Sequence, residues 1–327
     1  MAAARELPLV SVVTPVYNGA HYLEECMESV LAQTYTHWEY TVVDNASTDA
    51  TPDIVQRFAA RDERVRHLRF EDLVPANVNH NRAFEAIGAE SEFCKVVQAD
   101  DWLYPECLAR MVAVARSSDK VSLVSAYRLW DAEVDLVGIP YTREVVSGRD
   151  VLRQSLTGGP YVTGAPTALL YRASLVRERT PFYEEDLAHA DTEAAYWMLT
   201  RGDFGYVHQV LTFARRQAGA WMEWANLVST FVPENLRFLL RYGPDVLTEE
   251  EYRSRLRLEL RKFAWFHLRQ VPKPSRLSRE FIEVQRHEVD AILEESHGDA
   301  EVRAVMLFIR ALLLRGGKRH ATLSTLR

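Results

Sequence analysis

Strand-type and helix-type periods alternate along the first 130 residues, and no other feature narrows the fold as much. "PLVSVVTPVYN" (8–18) is a short β-branched run closed by a proline and an Asn-Gly turn signal. "HYLEECMESVLAQ" (21–33) then sets Leu23, Met27, Val30 and Leu31 at helical spacing. The alternation continues with strands over 39–45, 64–70, 92–98 and 120–130 and helices over 49–62, 79–89 and 105–118. Thr51 or Asp49 can cap the helix over 49–62. Short connections between such elements imply a mainly parallel sheet with helices on both faces. The predicted class is α/β and Rossmann-like.

A sheet of this kind binds ligands beyond the carboxyl ends of its strands. Three polar clusters fall there: Thr14-Pro15-Val16-Tyr17-Asn18 after the first strand, Asp44-Asn45 after the second, and Asp100-Asp101 after the fourth. Their coincidence at one edge says more than any one of them. Asp100-Asp101 admits two readings. It is a solvated turn that starts the next helix, or it is a divalent-metal site in which carboxylates share Mg²⁺ or Mn²⁺ with substrate phosphates.

Beyond residue 130 the pattern loosens. Residues 131–170 are less regular, and "TGGPYVTGAPTALLYR" (157–172) reads as a loop entering a strand. A helix over 190–202 and a strand over 204–217 with a basic end follow. From about 219 the chain turns Trp-rich and then helical, near 233–242, 248–270, 278–296 and 299–315. The expected division is a catalytic domain over 1–218 and a helical region over 219–327.

Net charge is −7, which argues against a broad basic face for nucleic acid. Cys26, Cys94 and Cys107 show no zinc-ligand or thioredoxin-like spacing, and read as buried, reduced thiols. The start has no apolar run long enough for a signal peptide, and no stretch approaches the roughly 18 apolar residues of a membrane span. A cytoplasmic protein is expected. Phosphate-binding Gly-x-x-x-x-Gly-Lys-Ser/Thr, dinucleotide Gly-x-Gly-x-x-Gly and esterase Gly-x-Ser-x-Gly patterns are missing, which weakens kinase, dehydrogenase and esterase readings.

Five ordered blocks carry a resemblance: "VSVVTPVYNGAHYLEECMESVLAQTY" (10–35), "VVDNASTDAT" (42–51), "NHNRAFEAIGAESEFCKVVQADDWLYP" (79–105), "GAPTALLYR" (164–172) and "ADTEAAYWMLTRGDFGYVHQVLTFARR" (190–216). Over roughly 8–218 the chain resembles family 2 glycosyltransferases, inverting enzymes of the GT-A fold. The resemblance implies a nucleotide-sugar donor, a UDP-sugar in many relatives, and a hydroxyl acceptor on a glycan, glycolipid or other glycoconjugate.

By position, Thr14, Pro15 and Tyr17 should line the base and ribose pocket, with Tyr17 on the base, although Tyr17 also reads as a core aromatic. Asp44 should accept a hydrogen bond from the base, whereas Ser47 and Asp49 shape the turn. Asn45 stands where many relatives carry a second Asp. The family's Asp-x-Asp-Asp is here Gln98-Ala99-Asp100-Asp101. Asp100 takes the usual metal position, Asp101 is an alternative ligand, and Gln98 can bond ribose but brings no charge. Arg82 steadies the donor or the Asp pair, or is a surface arginine.

Asp191 matches the family's catalytic base, with an N-cap as its other reading and Glu193 as substitute. Arg215 and Arg216 match groups near the diphosphate. Gly164, Pro166 and Thr167 match a loop near donor sugar and acceptor, and Trp221 and Trp224 either stack on sugar or pack in the helical region. Two other functions stay open: a non-catalytic nucleotide-sugar-binding relative, raised by Gln98, Asn45 and Ala190, and a sugar nucleotidyltransferase.

The tail (301–327) sets Val302, Val305, Met306, Ile309, Leu312 and Leu313 at helical spacing beside basic residues. It can pack on its own domain, make a subunit contact in a homo-oligomer, or lie peripherally on an anionic membrane.

Overall fold

The computed structural model describes residues 7–135, 138–215, 225, 227–270 and 279–324. Packing divides the chain into two compact units. One is Met1–Leu152 with Pro160–Arg216, and the other is Arg153–Gly159 with Gln217–Arg327.

The first unit realises the alternation. Its strands and helices run β1 (Val10–Val16), α1 (Leu23–Leu31), β2 (Trp38–Asn45), α2 (Thr51–Arg61), β3 (Val65–Phe70), α3 (Ala76–Glu85) and β4 (Phe93–Val96). Then come β5 (Trp102–Leu103), α4 (Cys107–Ala115), β6 (Val121–Trp130), β7 (Glu133–Asp135), β8 (Val145–Val146) and α5 (Gly148–Leu156), whose residues from Arg153 on are counted with the second unit. A 3-10 turn (Pro166–Ala168), β9 (Leu170–Arg172), α6 (Ala173–Glu178), α7 (Ala190–Leu199) and β10 (Asp203–Ala214) complete it. Helix α3 begins three residues before the expected 79, because Pro75 (φ −54°, ψ 154°) turns the extended chain into the helix there. The short elements β5, β7, β8, α5 and α6 were not foreseen.

The strand order is β3-β2-β1-β4-β9-β6-β10-β5, with β7 on β6 and β8 on β10. The long ladders β2–β3, β1–β2, β1–β4 and β6–β10 are parallel, and the antiparallel ones are short. Chain order reverses between β1 and β4, the switch point where ligands bind in such sheets. The β1–β4 ladder ends at Val13 and Val96. Pro15 lies just beyond and has no N–H to continue the ladder. Val12, Tyr40, Val42, Leu23, Met27, Val55 and Phe58 are essentially inaccessible beneath this edge. Each such side chain contributes about 1.5–3 kcal/mol by leaving water.

The second unit contains α8 (Phe231–Val246), α9 (Glu249–Gln270), α10 (Arg279–Glu295) and α11 (Ala300–Ser324). Leu236, Leu256, Phe263, Ile292 and the α11 stripe Val302, Met306, Ile309 and Leu313 are buried. The apolar spacing of the tail therefore belongs to this unit's own core. Arg237 of α8 pairs with Glu288 (3.4 Å) and Glu295 (3.1 Å) of α10. No helix among the described residues is long and apolar enough to cross a membrane.

Candidate active site

The loops after β1 and β2 are stitched together. Asn18, at φ +50°, donates its N–H to Ser47 Oγ (2.9 Å) and accepts from the Thr48 N–H (2.8 Å). Asp49 accepts from the N–H groups of Ala20 and Thr51, both at 3.0 Å. Ser47 and Asp49 thus shape the turn, as expected. A Cβ on Gly19 would meet Val16 Cγ2 at 2.5 Å and Ala99 Cβ at 3.4 Å, so the β1 loop rests directly on Ala99.

Beside this loop lies a cleft of about 540 Å³, with Pro15, Tyr17 and Asn45 on one side and Val74, Pro75 and His80 on the other. Tyr17 is 48% exposed, so it is not a core aromatic. Thr14 and Asp44 do not line the cleft. Thr14 is buried with its hydroxyl 2.9 Å from Tyr40 OH. Asp44 is fully buried; Oδ1 accepts from the Ser47 N–H (2.9 Å), and Oδ2 lies 3.5 Å from His67 Nε2. Asn45 supplies the lining instead. Its amide bonds both the carbonyl (2.8 Å) and the N–H (3.0 Å) of Val74, fixing the opposite wall. Arg82 stacks on Phe70 (3.9 Å) and reaches Asp72 O and Asn45 Oδ1 at 3.3 and 3.4 Å. It holds the wall loop and makes no bond to the Asp pair.

His80 links the cleft to the acidic end. Its Nε2 lies 3.1 Å from Gln98 Nε2, and its Nδ1 lies 2.8 Å from Ala76 O. Burial lowers its pKa. The neutral ring donates from Nδ1 and accepts the Gln98 amide at Nε2.

Two residues after Gln98, the carboxylates divide their roles. Asp101 is 6% exposed and fully engaged: Thr167 Oγ1 donates to Oδ2 (2.6 Å) and the Arg215 N–H donates to Oδ1 (3.2 Å). Burial, then the adjacent Asp100 charge, push it up to about 7, against the pull of Thr167, Arg215 and Arg128. Asp100 is half-buried and also raised, chiefly by burial. Arg215 donates from Nε to Asp100 O (2.9 Å), stacks on Tyr22 (4.2 Å) and pairs with Glu25. The Thr167 hydroxyl also accepts from the Gln98 N–H (3.0 Å), so the 3-10 turn is keyed into the strand end.

Asp191 is the second residue of α7, after Ala190 and the N-cap His189. It does not cap the helix; Oδ1 accepts from the N–H of Thr192 (2.8 Å). Burial raises its pKa against that bond and the Arg128 guanidinium. Gly164, at φ +81°, reaches this corner through Tyr161, whose hydroxyl donates to Gly164 O (2.9 Å) and lies 3.5 Å from Thr192 Oγ1. Glu193 is 1% exposed and ion-paired with Arg179 at 2.8 Å, which removes it as a substitute base. Pro166 is buried within the turn. Arg216, Trp221 and Trp224 lie outside the described residues.

Two contributors went unrecognised in the sequence. Arg128 of β6 acts on both Asp101 and Asp191 and lowers both, joining the two acidic corners. Lys95 of β4 is completely buried and donates to Thr167 O (2.5 Å) and Leu169 O (3.1 Å), so it anchors the turn that holds Asp101. The signal for Lys95 was present: a lysine inside the apolar run "FCKVV" (93–97).

No group of three His, Cys, Asp or Glu among the described residues could enclose a metal ion. The donor set fits a different arrangement. One half-buried and one buried carboxylate, both raised chiefly by burial, suit a hard cation that completes its shell with phosphate oxygens and water.

The family profile described as "Glycosyl transferase family 2" matches residues 11–180, just over half of the chain. TuaG of Bacillus subtilis (strain 168), a glycosyltransferase named for teichuronic acid biosynthesis, is 42% identical over 94 residues, 29% of this chain and 36% of its own. The glycosyltransferase GlyG of Streptococcus pneumoniae serotype 4 is 32% identical over 123 residues, 38% of this chain and 40% of its own. These alignments thus span well under half the length of the curated relatives. Among solved structures, S. aureus TarS 1-349 in complex with UDP superposes with a TM-score of 0.64 at 16% identity, covering 98% of this chain and 92% of that one. The mannosyltransferase PcManGT from Pyrobaculum calidifontis, in complex with GDP-Man and Mn2+, gives 0.56 at 17%, covering 97% and 88%.

Proposed function

Because the chain belongs to glycosyl transferase family 2, we propose that it moves a sugar from a nucleoside-diphosphate sugar to a hydroxyl of a glycan or glycoconjugate, with inversion. A UDP-sugar is the favoured donor, and residues 1–218 are assigned to catalysis. The observation that carries this reading is a link between two surfaces: His80 lines the mainly apolar cleft and lies 3.1 Å from Gln98, two residues before the Asp100-Asp101 pair. A base, a ribose and a diphosphate need that sequence of surfaces.

The base is assigned to Tyr17 and the Asn45 side of the cleft, and Asp44 to holding the loop through Ser47. Asp100, backed by Asp101, would hold Mg²⁺ or Mn²⁺, which supplies positive charge to the departing diphosphate. Asp191 takes the acceptor proton as the hydroxyl oxygen bonds the anomeric carbon from the face opposite the nucleotide. The old carbon–oxygen bond breaks, and its electron pair leaves on the nucleoside diphosphate. A raised pKa makes Asp191 a stronger base than a solvated carboxylate.

Thermal-shift measurements with nucleoside diphosphates and nucleotide sugars, with and without Mn²⁺, test the donor side, since a ligand of the native state raises stability by mass action. UDP-type ligands with Mn²⁺ should give the largest rise, and no rise with any nucleotide overturns the assignment. Asp191→Asn should lower turnover by about 10² or more while donor affinity holds. Turnover within a few-fold of wild type removes Asp191 as base. A binding-only relative would show the thermal shift without transfer to any acceptor.

A further inference from the structure

The second unit carries a surface that its own core does not use. Along α9 from Ser254 to Arg269, the exposed apolar side chains are Leu258 (43%), Trp265 (58%) and Leu268 (48%). The other exposed residues there are Ser254, Arg257, Arg261, Lys262 and Arg269. The stretch has one acid, Glu259, which is buried and already shared by Arg255 and Lys262 at 2.8 and 2.9 Å. In α11 the pattern repeats. After Glu301 the exposed side chains up to Leu314 are apolar, with Leu307, Phe308 and Leu314 the largest, or arginine at 303 and 310.

Ordinary solvated helices do not look like this, and α10 of the same unit shows the contrast: Glu280, Glu283 and Glu294 are exposed among its basic residues. In a chain of net charge −7, the exposed side chains of Ser254–Arg269 and Arg303–Leu314 include no acid, and the acids at their border are Glu301, 3.8 Å from Arg257, and Asp290, 3.5 Å from Arg310. Exposed large apolar side chains set among arginines suit a surface that is apolar in depth and anionic at its boundary. Trp and Leu enter the acyl boundary, while arginine stems lie along it and keep their charge at the headgroups. Arg269 already lies over the Trp265 ring at 4.0 Å, a pairing compatible with that layer. A second copy fits less well, because a two-fold contact through this face would oppose arginines to arginines.

We propose that the exposed faces of α9 and α11 dock on an anionic lipid surface. This rests on the exposed side chains alone and is independent of the donor or the chemistry of transfer.

Co-sedimentation of the full chain with vesicles decides it. At low salt the protein should pellet with equimolar phosphatidylglycerol and phosphatidylcholine, stay in solution with phosphatidylcholine alone, and release as salt rises. Each basic residue at such a surface strengthens partitioning about five-fold. Arg261→Glu with Arg269→Glu should therefore weaken binding by at least roughly 25-fold. Trp265→Ser with Leu268→Ser should weaken it at least about ten-fold by removing inserted apolar area. All four positions are exposed, so the thermal unfolding midpoints of both variants should match wild type. No pelleting at low salt, equal pelleting with neutral vesicles, or full binding by the Trp265→Ser/Leu268→Ser variant each overturns the proposal. A dimer in sedimentation velocity that either variant dissolves, without vesicle binding, overturns it in favour of a second copy.

Discussion

Asp101→Asn should stabilise the metal-free protein at alkaline pH. In the folded chain Asp101 is buried beside Asp100 and pushed up to about 7, against an ordinary value of 3.8. Between those values the folded state keeps a proton that the unfolded state has released. Stability therefore falls as pH rises across that window and levels off above about 7. A displacement of about three pH units corresponds to about 4 kcal/mol. Below pH 4 both states are protonated and the carboxyl exerts no penalty. Asparagine mimics the protonated acid at all pH values and can still accept the Arg215 N–H. Some of the gain is lost because its amide must share Thr167 Oγ1 with the Gln98 N–H. A net advantage of about 2–4 kcal/mol above pH 7 remains. Urea unfolding of both proteins in chelator, in steps from pH 4 to pH 9, gives the difference curve. It should lie between zero and about 2 kcal/mol below it at the acid end and rise by about 4 kcal/mol through the window. Parallel curves, or a variant weaker than wild type above pH 7, refute the reasoning.

Lys95→Met should destabilise the fold by about 2–4 kcal/mol in urea unfolding at neutral pH. It leaves Thr167 O and Leu169 O buried without a donor, offset in part by relief of a desolvated amine. Glu193→Gln should cost about 2–4 kcal/mol by weakening the buried pair with Arg179, yet keep turnover per folded molecule within a few-fold; a collapse of turnover would return Glu193 to the chemistry. Arg128→Gln removes a charge that lowers Asp191, so the acidic limb of the kcat/KM profile should move to higher pH, and an unmoved limb disconnects the two.

The fold of the first unit was legible because its long strands and helices bury one face each, and burial writes a period into the sequence. The two-residue β5 has no room for a period, yet it pairs with β10 next to the acidic corner. The partners of Asp101 were illegible for another reason. Thr167 and Arg215 lie 66 and 114 positions away, and nothing local announces that they converge on one carboxylate. Lys95 was the opposite case. A lysine amid apolar neighbours in a strand covered on both faces must find buried acceptors, so its presence could have been questioned without coordinates.

Which residues face the cleft is a question of parity, and there position in the chain misleads. The clusters after β1 and β2 identify the correct sheet edge, but a strand turns successive side chains to opposite faces. In the β1–β2 register Thr14 stands beside Val42, Pro15 beside Val43 and Val16 beside Asp44. Thr14, Val16 and Asp44 therefore share a face, and Pro15 and Asn45 share the other; Val16, the last residue of β1, lines the cleft as well. The buried contact of Thr14 with Tyr40 marks the first face as core. The bond from Asn79 of α3 to Val43 O marks the side on which the cleft wall is built. Asn45, not Asp44, then has to line the cleft, as it does. An amide at this position leaves the lining there uncharged, and the same Asn45 holds both polar groups of Val74, a task that suits an amide with one donor end and one acceptor end.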